Sequence, residues 1–414
     1  MFHPAVIRLG RGAGVRQTVA QAAGETMADN VDVVIVGGAV VGSAIAYFLK
    51  RDGFKGRIAV VEKDSTYQWC ATGRSLASLR QQFSVAENIR LSQFGVGFVK
   101  GVKQEFGPDA DVGFREFGYL MMATAEGRAI LEQNVALQSS LGADTELLEP
   151  AAISRRFPWL KTDGVAAAGW GRSGEGCVDP HALMNLFRSG ARARGTDYRA
   201  DEVVGVERSD ERVVGVTLKS GGRLGCGALV DAAGWHSAKV AAMACLELPV
   251  RPRKRQIFVF DCPTPLPGCG LMIDPTGVFF RPEGRLYVAG VSPAPENDPD
   301  SESFDLDHAE FERDVWPALA ARVPALETLK VVNAWACHYD YNTLDQNAIL
   351  GPHPQVQNFY FASGFSGHGL QQSPAVGRAI AELLIHGHYT SIDLARFGYA
   401  RVAANAPLPE LNVI

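Results

Sequence analysis

The chain has 414 residues, enough to bury a large core and form two domains, and its 47% hydrophobic and 21% charged residues are ordinary for a globular protein. A formal net charge of −5 argues against nucleic acid as the main partner, and no run of 18 apolar residues offers a membrane span. The seven cysteines form no C-x-x-C pair, and the nearest two, Cys262 and Cys269, have no histidine close by; this speaks against a metal site and fits reduced thiols in a cytoplasm.

Residues 1–30 carry Arg8, Arg11 and Arg16 and no acid before Glu25, with an apolar run too short for a secretory signal. Met27 opens Met-Ala-Asp-Asn directly before the first strand, so these residues are expected to reflect a start site set too early, or to be an extension without fixed structure, rather than a targeting peptide. Val31–Val36 has five β-branched apolar residues in six, the pattern of a strand covered on both faces. Gly37, Gly38, Ala39, Val40, Val41 and Gly42 form a turn that opens onto a helix, and Ile58–Val61 is a second apolar strand ending at Glu62. Strand, glycine turn, helix, strand and acid are the context of a dinucleotide-binding fingerprint. The helix N-terminus offers N–H groups to a pyrophosphate, and Glu62 can accept ribose hydroxyls. Position 39, where the middle glycine of the fingerprint usually lets the backbone approach phosphate, is Ala39, whose methyl should shift that contact slightly or weaken it.

Thr72–Phe83 is rich in small and polar residues in its first half, as a loop beside a ligand would be, and Ala86–Lys100 has the spacing of an amphipathic helix. Gly118–Ala123 reads as a strand and residues 126–141 as a helix. In Gly176–Leu183 a strand end leads into a helix capped by Asp179, with Pro180 in its first position. Glu202–Glu207 and Val213–Leu218 form a hairpin, and Ala228–Trp235 is a buried strand ending in small residues that let a ligand lie against the backbone. After Pro249 the pattern becomes antiparallel, with strands near 257–260, 278–281, 286–289 and 331–339 and a helix over 308–322. Phe359–Ser363 is a last strand, followed by the turn Gly364–Gly369 and a helix over Ser373–Leu384.

These blocks together resemble the FAD-dependent amino acid oxidoreductases that include D-amino acid oxidase, monomeric sarcosine oxidase and glycine oxidase. The chain looks most like bacterial relatives of the FAD-dependent oxidoreductase domain proteins. The resemblance covers residues 31–400 and rests on Gly37–Glu62, Thr72–Phe83, Gly176–Leu183, Val230–Trp235 and Gly364–Gly369, with Asp345-Gln346-Asn347 ahead of Ile349 in support. It implies an α/β fold. A Rossmann-like FAD-binding domain with a parallel sheet would comprise residues 31–118, 160–248 and 340–405. A smaller α+β substrate domain on an antiparallel sheet would comprise 119–159 and 249–339. Residues implied to hold FAD are the 37–42 turn, Glu62 with Lys63, Thr72, Gly73, Arg74 and Ser75, Val203 and Val204, and Ala232, Ala233, Gly234 and Trp235. Gly364, Gly367, His368, Gly369, Leu370 and Gln371 complete the set.

The resemblance implies oxidation of a C–N bond beside a carboxylate: hydride passes to flavin N5 and the imine hydrolyses. The substrate is expected to be a small, N-substituted amino acid such as sarcosine, dimethylglycine or iminodiacetate, with D-amino acids also open, and oxygen or another group as acceptor. No general base and no metal are needed. Arg80, in Leu79-Arg80-Gln81, stands where the sarcosine oxidase branch has its substrate arginine, since a guanidinium matches a carboxylate with a planar fork; a cofactor-phosphate role is the alternative. Arg281 is a candidate second cation, Tyr339 a pocket wall, and Gln371 replaces a lysine of that branch. The strand with Leu286-Tyr287-Val288 likewise lacks the branch's lysine above the flavin, which puts sarcosine itself and oxygen in question. His368, with the helix N-terminus behind it, would favour negative charge on the reduced ring. Cys337-His338-Tyr339 has the spacing of a covalent flavin link, yet non-covalent FAD is expected. A flavin-bearing assembly or scaffold protein without turnover is the alternative function.

Overall fold

The computed structural model describes residues 29–412. The expectation for the first 28 residues lies outside that range, whereas Asp29 and Asn30, expected in the extension, already belong to the first strand. That strand, Asp29–Val36, is central in an eight-stranded sheet. It pairs in parallel with Ile58–Glu62 on one side and Arg223–Asp231 on the other, as its unbroken apolar run requires. Asp197–Ala200 extends the sheet in parallel beyond Ile58–Glu62. Arg223–Asp231 pairs along its first half with the hairpin Val203–Ser209 and Arg212–Leu218, and along its second half with Phe359–Ser363. Ile349–Pro352 closes the edge antiparallel to Phe359–Ser363.

The second sheet also has eight strands. Its order is Lys330–Asn342, Val250–Asp261, Leu286–Val291, Val278–Glu283, Leu271–Ile273, Tyr119–Ala123, Ala167–Gly171 and Thr145–Leu148. All neighbours are antiparallel except Leu271–Ile273 beside Tyr119–Ala123. Two of the expected boundaries move. Ala167–Gly171, placed with the first domain, pairs in the second sheet, and Lys330–Asn342 runs past 339 to the junction of the two sheets. A three-stranded ribbon of Ser78–Leu79, Gly176–Cys177 and Arg115–Glu116 lies apart from both sheets.

Helices Val40–Arg51, Pro180–Ala193, Ala86–Lys100 and Gly369–His386 share one apolar core with the first sheet. Asp179 caps the second of these, accepting from His181 N at 2.9 Å and Ala182 N at 3.0 Å ahead of a helix that has Pro180 at its start. Gly369–His386 starts four residues before the sequence suggests. Pro374 hides the start: it lacks the N–H that would bond the carbonyl of Leu370, and the Ser373 hydroxyl donates to that carbonyl at 2.8 Å instead. The helix expected over 308–322 starts at residue 309 and contains a π turn at Phe311–Val315 ahead of Trp316–Arg322. No helix among the described residues is long and apolar enough to cross a membrane.

Helices Val40–Arg51 and Gly369–His386 meet backbone to backbone at Gly377. A methyl added there would sit 2.8 Å from the Ala44 backbone and side chain and 2.9 Å from the Phe48 ring. Gly377→Ala should therefore push the helices apart and cost about 1–3 kcal/mol, read as a fall in thermal midpoint; an unchanged midpoint would show that the pair has room to spare.

Candidate functional site

One long cavity runs from the C-terminal ends of the parallel strands to the inner face of the second sheet. At its first end, Gly37 leaves the central strand with φ +98°, and a side chain there would strike the carbonyl of Ala232. Gly42 packs on the Gly37 carbonyl so closely that no Cβ fits. The helix Val40–Arg51 starts at Ala39 with no side-chain cap, which leaves most first-turn N–H groups unbonded at the cavity; Val40 N reaches Thr72 Oγ1 at 3.3 Å. Ala39 itself is accommodated because it has ordinary extended backbone angles.

Glu62 closes this end. Its Oε2 accepts from Gly38 N at 2.8 Å and its Oε1 from Asp64 N at 2.9 Å, so each oxygen keeps a lone pair for a ribose hydroxyl. Burial raises its pKa, and the two N–H donors pull it back. Beside it, Lys63 Nζ donates to His236 Nε2 at 2.7 Å. Burial, with the charges of Lys63 and Lys239, pushes His236 down to about 4, so the ring stays a neutral acceptor.

The far end is built around Arg80, which is 2% exposed and lines the cavity. Its Nη1 donates to Gln82 O, and its Nη2 donates to Asn412 O and, at 2.9 Å, to His368 Nε2. The guanidinium also stacks on Phe83, 4.1 Å from the ring centre. Burial, then the Arg80 charge, hold His368 well below the usual histidine range. A neutral ring that accepts at Nε2 has no proton to offer there. Gln371 turns its Oε1 to Arg80 N at 2.9 Å, so its Nε2 is left as a donor. Glu175, buried behind the loop, accepts from Gln81 N at 2.6 Å and Gln82 Nε2 at 2.8 Å, and burial pushes it up to about 7. Asp340 accepts from Gly364 N at 2.8 Å and Phe365 N at 3.1 Å and so fixes the turn before the second helix N-terminus at Gly369.

Most sequence candidates meet in this cavity: Gly37, Ala39, Val40, Val41, Glu62, Lys63, Thr72, Ser75, Val203, Ala232–Trp235, Tyr339 and Gly367–Gln371, with Arg80. Others stand behind it or elsewhere. Gly38, Gly42 and Gly364 shape the turns rather than line them, and Gly73 faces His181. Val204 points outward, 47% exposed, because its neighbour Val203 takes the inward side of the strand. Arg74 lies between Trp69 and Phe304 and donates to Gln68 O and Ala336 O, tying its loop to the second sheet. Arg281 is paired with Glu283 at 2.5 Å and bonded to Leu76 O, away from the cavity lining. Sequence reasoning missed His236 and Asp340, which are brought in only by long-range packing, and the segment ending at Asn412. No group of metal-ligating side chains occurs among the described residues.

The chain matches the FAD dependent oxidoreductase family over residues 32–383. It is 40% identical to the FAD-dependent oxidoreductase domain-containing protein 1 of Xenopus laevis, across 94% of this chain and 86% of that protein. With the sarcosine oxidase subunit beta of Rhizobium meliloti (strain 1021) it shares 29% identity over 86% of this chain and 85% of the relative. Among solved structures, the L-proline dehydrogenase from P. horikoshii superposes with a TM-score of 0.82 and 25% identity, covering 92% of this chain and all of that one.

The two unbonded lone pairs of Glu62, the open helix N-terminus and the glycine turn fit the ribose and pyrophosphate of FAD. Glu62→Ala should remove two charge-assisted hydrogen bonds to the ribose, about 3 kcal/mol or more, and so weaken FAD binding about 100-fold. The ratio of flavin to protein absorbance after dialysis reads this directly, and full occupancy in the variant would reject the assignment.

Proposed function

Because the chain belongs to the FAD dependent oxidoreductase family, and is therefore a flavin oxidoreductase, we propose that it oxidises the C–N bond of a small, N-substituted amino acid. The observation that carries this reading is Arg80, a buried guanidinium at the cavity end beside the second helix N-terminus. Relatives point the same way, since sarcosine and proline, named in two of them, are both secondary amines next to a carboxylate. Bound FAD would take the hydride from the α-carbon and leave an imine that hydrolyses in water.

The chain's own residues bind and orient. Arg80 and the Nε2 of Gln371 meet the substrate carboxylate. Tyr339 walls the cavity, and Ile257, Leu271 and Phe279 of the second sheet make the apolar face opposite the first domain. The positive end of the helix Gly369–His386 faces the site and favours negative charge there. His368, held neutral and already accepting from Arg80, takes no part as acid or base at Nε2. The amine must then arrive unprotonated, because its lone pair drives the hydride out. Oxygen or another electron acceptor would be the second substrate. Leu286–Val291 carries no lysine, which weighs against the lysine-assisted route to oxygen of the sarcosine oxidase branch. Seven free cysteines support a reducing, cytoplasmic setting.

Anaerobic bleaching of the flavin across N-substituted glycines, L-proline and D-amino acids tests the proposal. A flavin that none of them reduces would favour an assembly or scaffold role. With a substrate in hand, Arg80→Ala should raise KM by about 30- to 1000-fold, the worth of roughly 2–4 kcal/mol of charged hydrogen bonds, while FAD content holds. Unchanged KM with lost FAD would make Arg80 a cofactor residue instead.

We also infer a non-covalent flavin. Cys337 is buried, and burial pushes its thiol up to about 12, so little thiolate exists to form a link. Acid precipitation should leave the yellow colour in the supernatant. Colour retained in the pellet and lost in Cys337→Ser would overturn this.

A further inference from the structure

One segment outside the cavity touches Arg80 directly. Residues Leu408–Asn412 lie across the loop Arg80–Ser84, and the carbonyl of Asn412 accepts from Arg80 Nη2. The segment is held by a dense set of bonds. Leu408 N donates to Asp345 Oδ2 at 3.0 Å, and Leu408 O accepts from Asn347 Nδ2 at 2.6 Å. Glu410 is 3% exposed. Its carboxylate accepts from Ser84 N at 2.8 Å, Ser84 Oγ at 2.6 Å, Asn88 Nδ2 at 2.8 Å and Asn412 N at 3.0 Å. Ser84 Oγ in turn accepts from Leu411 N at 2.8 Å. The Asn412 side chain is fixed as well, accepting from Asn134 Nδ2 at 3.1 Å and donating to Gln82 O at 3.3 Å.

We propose that the Leu408–Asn412 segment, anchored by Glu410 on Ser84, is a positioning element that aims Arg80 at the carboxylate of the substrate. The proposal rests on the reading of Arg80 as the carboxylate site. Both planar forks of a guanidinium include Nη2, and here Nη2 gives its two protons to Asn412 O and His368 Nε2. While those bonds stand, Arg80 offers a carboxylate single donors rather than a fork. A single charged hydrogen bond depends steeply on direction, and that direction is set by what holds the rest of the group: Gln82 O, Asn412 O and His368. The segment also keeps the guanidinium from water, which strengthens its pull on a charged ligand. Substrate selectivity for a carboxylate would thus be set partly from outside the cavity, since neither Ser84, Asn134 nor Glu410 lines it.

The probe is pyrrole-2-carboxylate, a planar imino acid analogue with no hydrogen on the carbon that bears the carboxylate, with its methyl ester as the uncharged control. Dissociation constants come from the shift in flavin absorbance of the FAD-loaded protein. Removing Glu410 would also remove a negative charge near Arg80, which by itself raises affinity for an anion, so the deciding variants leave charge alone: Ser84→Ala and Ser84→Ala/Asn134→Ala. We expect the acid-over-ester preference to fall about tenfold in the double variant, as one charged hydrogen bond loses its aim, with FAD content and ester affinity unchanged. A preference within about twofold of the parent protein, or a tighter grip on the acid, overturns the proposal; the latter would mean that Asn412 O competes with the ligand. If the parent protein binds acid and ester alike, the Arg80 reading itself falls. If the variants bind too little FAD to be titrated, hydrogen exchange at Leu411 and Asn412 in the parent protein decides. Slower exchange with the acid and not with the ester supports the proposal, and equal exchange overturns it.

Discussion

A buried ion pair ties together the parts that carry the site. Asp345 is fully buried, and Arg401, which meets it at 2.7 Å, is nearly so. Such a pair is worth keeping only when the remaining donors and acceptors are satisfied, and breaking one partner typically costs about 3–5 kcal/mol. Here they are satisfied. Arg401 also donates to the carbonyls of Phe397, Asn347 and Ala348, and Asp345 accepts from Asn342 Nδ2, Asn347 N and Leu408 N. Asn347 passes the network to Asn88 on one helix, and Asn88 to Gln372 on another. The end of the long strand Lys330–Asn342, two helices and the Leu408–Asn412 segment therefore share one polar junction. Asn342 N, bonded to Ser366 Oγ at 3.0 Å, carries it to the turn in front of Gly369.

Electrostatically the cavity has two unlike ends. Backbone N–H groups and Lys63 make the first one suited to phosphate and ribose, with Glu62 as the acceptor for hydroxyls. The other holds a cation without an ion-pair partner among the described residues, a histidine kept neutral by burial and then by that cation, and a helix N-terminus. The cation and the helix N-terminus both favour an anion. The apolar side chains of the second sheet between them supply a low dielectric in which those preferences are strong.

How much of this could be read from residue order depends on range. The first strand, the glycine turn and Glu62 are a local pattern, and they lie as expected. Ala167–Gly171 escaped because alanine and glycine carry no strand signature; only pairing with Tyr119–Ala123 on one side and Thr145–Leu148 on the other makes it one. The start of the last long helix was masked by Pro374, whose loss of a donor is repaired by a neighbouring serine. Arg281 looked available because Glu283, two positions on along the same strand, gives no sign in sequence that it will turn back to it. Val204 could have been excluded by the alternation of a strand. His236, Asp340 and Asn412 reach the site through contacts far apart in the chain, and no spacing rule announces those.

The order in which the sheet closes has a consequence for synthesis. The central strand finds its second neighbour only when Arg223–Asp231 emerges, and that strand waits in turn for Phe359–Ser363. The apolar face of Val40–Arg51 is covered by Pro180–Ala193 and, much later in the chain, by Gly369–His386. Pairings between such distant residues pay loop-closure entropy before any contact rewards it, so folding is slow and late. On the ribosome, the first strands and helix therefore wait for partners that emerge much later before their apolar surface is fully covered. Apolar surface exposed in that interval is prone to aggregation.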